Sequence, residues 1–333
     1  MTDAMGHHGD LDAIPGLVDL AVNVRADTPP NWLAQRLRGV DLAPYPHQDA
    51  AVKAIAERHG RSPDEVLLTA GATEAFVLIA RALTPTRPVV IHPQFTEPEA
   101  ALRAAGVDVL RVILPPPFVF DVDAVPLDAD LVVLGNPTNP TSVLHPREVI
   151  RSLLRPGRLV VVDEAFADCV PGEPESLAAD PDVLAVRSLT KTWGLAGVRA
   201  GYVLGPAEVI DRLRRAQPHW PVNSLALEAC VACSTPAAVA EARAWAERLS
   251  ADRADLAVCL GGLPGVAVVD NARASFLLVR SDIPRIWEPL RERGFAVRRG
   301  DTFPGLDAHW FRVAVRDRAT SADFVRALEE TLR

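Results

Sequence analysis

No stretch of this 333-residue sequence approaches the ~20 consecutive apolar residues needed to cross a bilayer. Residues 1–12 read polar and acidic rather than basic and then apolar. Neither a membrane span nor a secretory leader is expected, and a cytoplasmic location is. Cysteine is scarce: Cys169, Cys230, Cys233 and Cys259 are too few for a disulfide framework in a chain of this size. Cys230 and Cys233 form a CxxC, but they lie in the apolar run 225–233, and no second CxxC or His pair completes a zinc site. Packed core thiols and no metal are expected. Positive charge is in deficit, with 35 Lys and Arg against 43 Asp and Glu and a net charge of -8, and there is no long basic run. A nucleic-acid surface needs such a cluster facing phosphates, so a small molecule is the expected partner.

About half of the residues are apolar, enough for a large core and for one large or two ordinary domains. From about residue 47 a helical pattern alternates with short β-branched runs at 66–69, 88–91, 107–112, 131–134, 159–162, 183–188 and 200–204. Several runs are apolar without alternation, as strands buried on both faces are. The pattern predicts a large α/β domain over 41–218 with a mainly parallel sheet covered by helices. Beyond about 219 it changes to Ala-, Glu- and Arg-rich helices at 224–234 and 237–260, strands at 266–269, 275–279, 295–298 and 311–315, and a closing helix at 321–332. This predicts a smaller α+β domain from 219–333, joined by the N-terminal segment 1–40.

Four segments carry candidate chemistry. In Thr69-Ala-Gly71-Ala72-Thr73-Glu74, a glycine turn after a strand opens an apolar helix, and free N–H groups at a helix start suit a phosphate; an ordinary N-cap is the alternative. In Val162-Asp163-Glu164-Ala165-Phe166, an acid ends a fully apolar strand, where ligands of parallel sheets bind and a buried carboxylate needs a cationic or proton-donating partner; a salt bridge or a cap would also serve. In the segment from Ser188 to Tyr202, Lys191 directly follows a strand among apolar neighbours, so its amine can be desolvated into a nucleophile, and Ser188 and Arg199 could reach one phosphate. The alternative, a solvated lysine on a surface loop, leaves Trp193, Leu195 and Val198 unexplained. Asn136-Pro-Thr-Asn139-Pro ends another strand, a turn on any reading, and could present an amide.

Together these segments, in this order and spacing, resemble the pyridoxal-5′-phosphate (PLP) enzymes of fold type I, the aspartate-aminotransferase-like fold. Within them they resemble the branch of the histidinol-phosphate aminotransferases and threonine-phosphate decarboxylases. The similarity runs from Leu20-Ala-Val-Asn23 to Phe311-Arg312-Val-Ala-Val-Arg316. It implies Lys191 as the Schiff-base lysine, Asp163 as the partner of the pyridine nitrogen, and Asn139 as the donor to the ring's phenolic oxygen. Ala72, Thr73, Ser188 and Arg199 would cradle the phosphate, and Phe95 would stack on the ring. Tyr45, in Pro44-Tyr45-Pro46, would reach the cofactor phosphate of a neighbouring subunit in a homodimer. Asn23 and Arg312 would face the substrate, Arg312 as a carboxylate clamp. Of Arg298, Arg299 and Arg316, one would meet a substrate phosphate, and Arg298 is taken as that candidate. Ser142 stands where the family usually has glycine. His7 and His8 read as disordered tail without a role.

The expected substrate is a small phosphorylated amino compound. The acid motif ends in Phe166 where aminotransferases of this branch typically have Tyr. Segments 217–224 and 303–316 also look more like the decarboxylases. The reaction expected from sequence is therefore decarboxylation of L-threonine O-3-phosphate in cobalamin biosynthesis, with transamination of histidinol phosphate or an aromatic amino acid as the alternative.

Overall fold

The computed structural model describes residues 4–333, so residues 1–3 of the polar N-terminal stretch lie outside the described residues. The strands, in chain order, are β1 (Val18–Leu20), β2 (Val66–Ala70), β3 (Pro88–His92), β4 (Leu110–Ile113), β5 (Leu131–Gly135), β6 (Leu159–Asp163), β7 (Leu184–Ser188), β8 (Ala200–Leu204), β9 (Val266–Val268), β10 (Phe276–Ser281), β11 (Phe295–Arg299) and β12 (Trp310–Ala314). They form two sheets, one of seven strands in the order β2-β8-β7-β6-β5-β3-β4 and one of five in the order β1-β11-β12-β10-β9.

In the seven-stranded sheet β8 runs antiparallel to both neighbours and every other pair is parallel. Strands β3, β5, β7 and β8 are buried along their whole length, because helices cover both faces. On one face Val90, Val133, Val161 and Val186 pack with the helices Ala72–Leu83 and Ala207–Ala216. On the other, Leu68, Ala200 and Tyr202 meet the helices Asn31–Arg38, Asp49–His59 and Ser224–Cys233, and Cys230 and Cys233 are fully buried there.

This topology positions the site. The chain leaves β2, β3, β5, β6 and β7 at one edge of the sheet, and it enters the reversed β8 at that same edge. Gly71, Phe95, Asn139, Asp163, Lys191 and Arg199 follow or precede those strand ends, so segments far apart in sequence converge where parallel sheets bind ligands.

The second sheet packs Leu20, Phe276, Val297, Phe311 and Val313 with the helices Pro236–Gly261 and Arg318–Leu332. Its edge strand β1 comes from the N-terminal segment and pairs in parallel with β11, Val18 opposite Phe295. The run expected as a strand at 107–112 pairs only as Leu110–Ile113. It is an edge strand whose register is set by β3, with Val89 opposite Leu110. Among the described residues no single helix is long and apolar enough to cross a membrane.

Candidate active site

A cavity of about 380 Å³ opens at this sheet edge. Its walls include Asn23, Ala72, Thr73, Phe95, Asn139, Asp163, Ser188, Lys191, Arg199, Arg298 and Arg312, every sequence-derived candidate except Tyr45, Arg299 and Arg316.

Lys191 lies on the single turn Thr190–Trp193 directly after β7. Arg25 N donates to the Lys191 carbonyl at 2.9 Å, fastening the N-terminal segment to the lysine turn. The Lys191 ammonium lies 5.8 Å from the centre of the Phe166 ring. Desolvation, then the positive charge of Arg312, lowers the Lys191 pKa from 10.5 to about 8, against the opposing pull of Asp163. A neutral amine is thereby populated near neutral pH, as a nucleophile and base requires.

Asp163 ends β6, 8% exposed, and one carboxylate oxygen accepts from Ala165 N at 3.0 Å. Burial raises its pKa to about 6, against the Ala165 N–H and the charge of Lys191, and among the described residues no cation forms an ion pair with it. The next residue, Glu164, points to the other side of the sheet, where Arg187 Nη1 donates to it at 2.9 Å. Arg187 Nη2 also meets Asp168 at 2.6 Å, and Asp168 accepts from Arg58 at 2.9 Å. This buried ionic layer clamps the ends of β6 and β7, and with them Asp163 and Ser188.

The anion cradle is built around missing side chains. Gly71 caps the helix Ala72–Leu83 with φ 79°, and a Cβ there would come within 2.5 Å of Arg199 Nη2. Gly201 faces it across β2 and β8, and a Cβ on Gly201 would lie 2.9 Å from Ala72 N. Both glycines leave room for the guanidinium and the helix N-terminus to meet one anion.

Arg312, buried at the cavity wall, donates to the Asn139 side-chain oxygen and to the Ala21 carbonyl. The hydrogen-bond network assigns the Asn23 amide oxygen toward Arg312, accepting from Nη1 at 3.1 Å and Nε at 3.0 Å. With its oxygen held by Arg312, the Asn139 amide is left its NH₂ group to donate into the cavity. Ser142 has φ 63°, so it adopts the left-handed backbone for which the family uses glycine. Its hydroxyl accepts from Arg273 N at 3.1 Å and Ala274 N at 2.8 Å, anchoring the loop.

One expectation is corrected. His7 and His8 are not a disordered tail. His7 Nε2 meets Asp12 at 3.0 Å and His8 Nε2 meets Glu97 at 2.8 Å. The His8 ring lies 5.6 Å from Phe95, and His8, Gly9 and Asp10 join the cavity wall. Arg299 and Arg316 stay away from the cavity. Arg299 is bound to Asp301, and Arg316 donates to the carbonyls of Asp19, Val22 and Val24. Arg298, by contrast, lines the cavity and is held at 3.3 Å from Asp12 and 4.8 Å from the Phe303 ring. Tyr45 is 67% exposed and lies outside the cavity of its own chain. Phe303 and the segment 8–10 were missed by the sequence reading, and no local pattern marks them.

The family model described as aminotransferase class I and II matches residues 15–328. A protein named histidinol-phosphate aminotransferase, from Mycobacterium tuberculosis, is 54% identical over 94% of this chain and 87% of its own length. The threonine-phosphate decarboxylase of Salmonella typhimurium is 30% identical over 84% of this chain and 80% of its own. A crystal structure of histidinol-phosphate aminotransferase from Sinorhizobium meliloti in complex with PLP superposes with a TM-score of 0.83 at 21% identity, over 94% of this chain and 89% of that one. These findings overturn the expectation of threonine-phosphate decarboxylation, since the nearer kinship is with proteins named as aminotransferases. The Phe166 that motivated the expectation packs edge-on against Phe276, 4.9 Å between ring centres. Its ring thus joins the core of the second sheet while also lining the cavity beside Lys191.

The walls fit PLP. The cradle of Gly71, Ala72 and Arg199 suits its phosphate, the unpaired Asp163 its protonated pyridine nitrogen, and the Lys191 amine its aldehyde. Because the Arg312 charge helps to depress the Lys191 pKa, Arg312→Gln is expected to move it up toward 10.5. The pH midpoint for PLP uptake by the apoprotein, followed by visible absorbance, should rise with it. An unchanged midpoint would show that Arg312 does not act on Lys191.

Proposed function

We propose, from the premise that this chain belongs to the class I and II aminotransferase family and uses PLP, that it transfers the amino group of a phosphorylated donor of the histidinol-phosphate type to a 2-oxo acid. The observation that carries this reading is the 54% identity, over 94% of the chain, to a relative named for that reaction.

When bound, the cofactor supplies an aldehyde and a protonated ring that takes up the electron pair left when a bond to Cα breaks. Asp163 keeps the proton on the ring nitrogen, which its buried, otherwise unpaired carboxylate is placed to do. Lys191, a buried amine whose pKa desolvation lowers to about 8, would be the base that takes the Cα proton and holds it for return. Asn139 donates to the ring oxygen with an amide whose orientation Arg312 fixes. Ala72, Thr73, Ser188 and Arg199 bind the cofactor phosphate, and Phe95 covers the ring.

Arg312 and Arg298 are the cations left for the substrate. An amino donor with a phosphate and an acceptor with a second carboxylate must use them in turn, which an arginine fork allows because it pairs with either anion. A charged hydrogen bond removed from the substrate should therefore cost binding. Histidinol is expected to show a kcat/KM about 10- to 100-fold below that of histidinol phosphate. Equal efficiency would remove the phosphate from the reading.

The exposed Leu42, Tyr45 and Trp220 support a homodimer in which Tyr45 completes the partner's cofactor site. Sedimentation of the holoenzyme should give a dimer at assay concentrations; a fully active monomer would refute this.

A further inference from the structure

Tyr45 lies in the link between the helices Asn31–Arg38 and Asp49–His59, and Trp220 in the link between Ala207–Ala216 and Ser224–Cys233. Their rings stack with centres 4.2 Å apart and planes inclined by 22°, although Tyr45 is 67% and Trp220 55% exposed. A stack so open to solvent contributes little to the core of its own chain. Trp220 also has φ 51°, a left-handed backbone that a bulky side chain adopts only where its surroundings impose it.

Those surroundings are specific. Gln217 Nε2 donates to the Leu68 carbonyl of β2 at 2.9 Å, and Asn223 Nδ2 donates to the Val198 carbonyl at 2.9 Å. The link 217–223 is thus rooted at both ends, on β2 and on the turn that carries Arg199. Tyr45 is bracketed by Pro44 and Pro46, which restrict its backbone. Two stiff links bring their aromatic rings face to face on the surface.

We infer that Trp220 is a positioning residue, which fixes the Tyr45 ring so that its hydroxyl is presented to the partner subunit's cofactor phosphate. The inference rests on the homodimer reading above. An unsupported tyrosine at a solvent-washed loop samples several rotamers, and that freedom is lost when the hydroxyl is bound. Stacking removes it in advance, so the loss no longer weakens the cofactor's hold.

The test uses the full-length dimer, with PLP dissociation constants from titration of the apoprotein and sedimentation equilibrium on the same samples. Trp220→Ala should weaken PLP binding about three- to tenfold, the range of one aromatic pair. Trp220→Phe should restore it to within about twofold, because a ring remains to stack. In a Tyr45→Phe background, Trp220→Ala should add nothing. Trp220→Ala with unchanged PLP affinity, while Tyr45→Phe alone loosens PLP, would overturn the inference and leave the dimer reading standing. So would effects of the two substitutions that simply add, or dissociation of the Trp220→Ala dimer where Tyr45→Phe remains dimeric. Tyr45→Phe without any effect on PLP would instead remove the reading beneath it.

Discussion

Lys191→Ala is expected to abolish covalent retention of PLP and to lower transamination by at least ~10⁴-fold, because one side chain serves as both the nucleophile for the aldehyde and the base for the Cα proton. The sequence makes this unusually clean to check. The chain contains only two lysines, Lys53 and Lys191. The Lys53 side chain is 74% exposed on a helix surface and pairs with Glu57 at 3.8 Å. Borohydride reduction of the holoenzyme followed by peptide mapping should place the cofactor on Lys191 alone. Retained turnover in Lys191→Ala, or label on Lys53, would contradict the assignment.

Asp163→Asn is expected to separate stability from catalysis. The folded-state pKa of Asp163 is raised from 3.8 to about 6 by burial. The folded apoprotein therefore holds a proton that the unfolded chain releases between about pH 4 and 6. Stability from this group is fully present below about pH 4 and is lost as pH rises through about 6. Above pH 6 the buried charge costs about 3 kcal/mol, to order of magnitude. The asparagine variant does not carry that cost. Its apoprotein should melt about 3–5 °C higher than the wild type at pH 8 and at the same temperature near pH 4. In the holoenzyme the carboxylate gains a partner in the ring nitrogen, and the same substitution should lower kcat by about 10²–10³-fold, some 3–4 kcal/mol of barrier. A wild-type apoprotein as stable as the variant at pH 8 would show that Asp163 is not an unpaired buried charge.

The parts of the fold legible in the sequence are those where one short segment determines its own conformation. The apolar runs that became β5, β6 and β7 are buried on both faces, so composition marked them. β1 was not legible, because three residues at an edge take their conformation from β11 rather than from propensity. In the site, Lys191, Asp163 and Arg199 were legible since each adjoins a strand end within a recognisable segment. The N-terminal residues His8 to Asp10 were not, because only the folded chain brings them against Phe95. The ionic layer of Arg58, Asp168 and Arg187 was equally hidden. Its members lie far apart in sequence, and a charge within an apolar strand such as Arg187 reveals its partners only in three dimensions. The choice of reaction was misjudged on Phe166 and on the likeness of segments 217–224 and 303–316, because which bond at Cα breaks depends on how the whole cavity orients the substrate.

Transamination itself is tested most directly by mass balance on the purified holoenzyme, supplied with L-histidinol phosphate and 2-oxoglutarate in one vessel and with O-phospho-L-threonine and no oxo acid in another. The account predicts glutamate formed in step with loss of histidinol phosphate in the first vessel and no CO₂ in the second. CO₂ and aminopropanol phosphate from the second vessel, with no glutamate in the first, would contradict it.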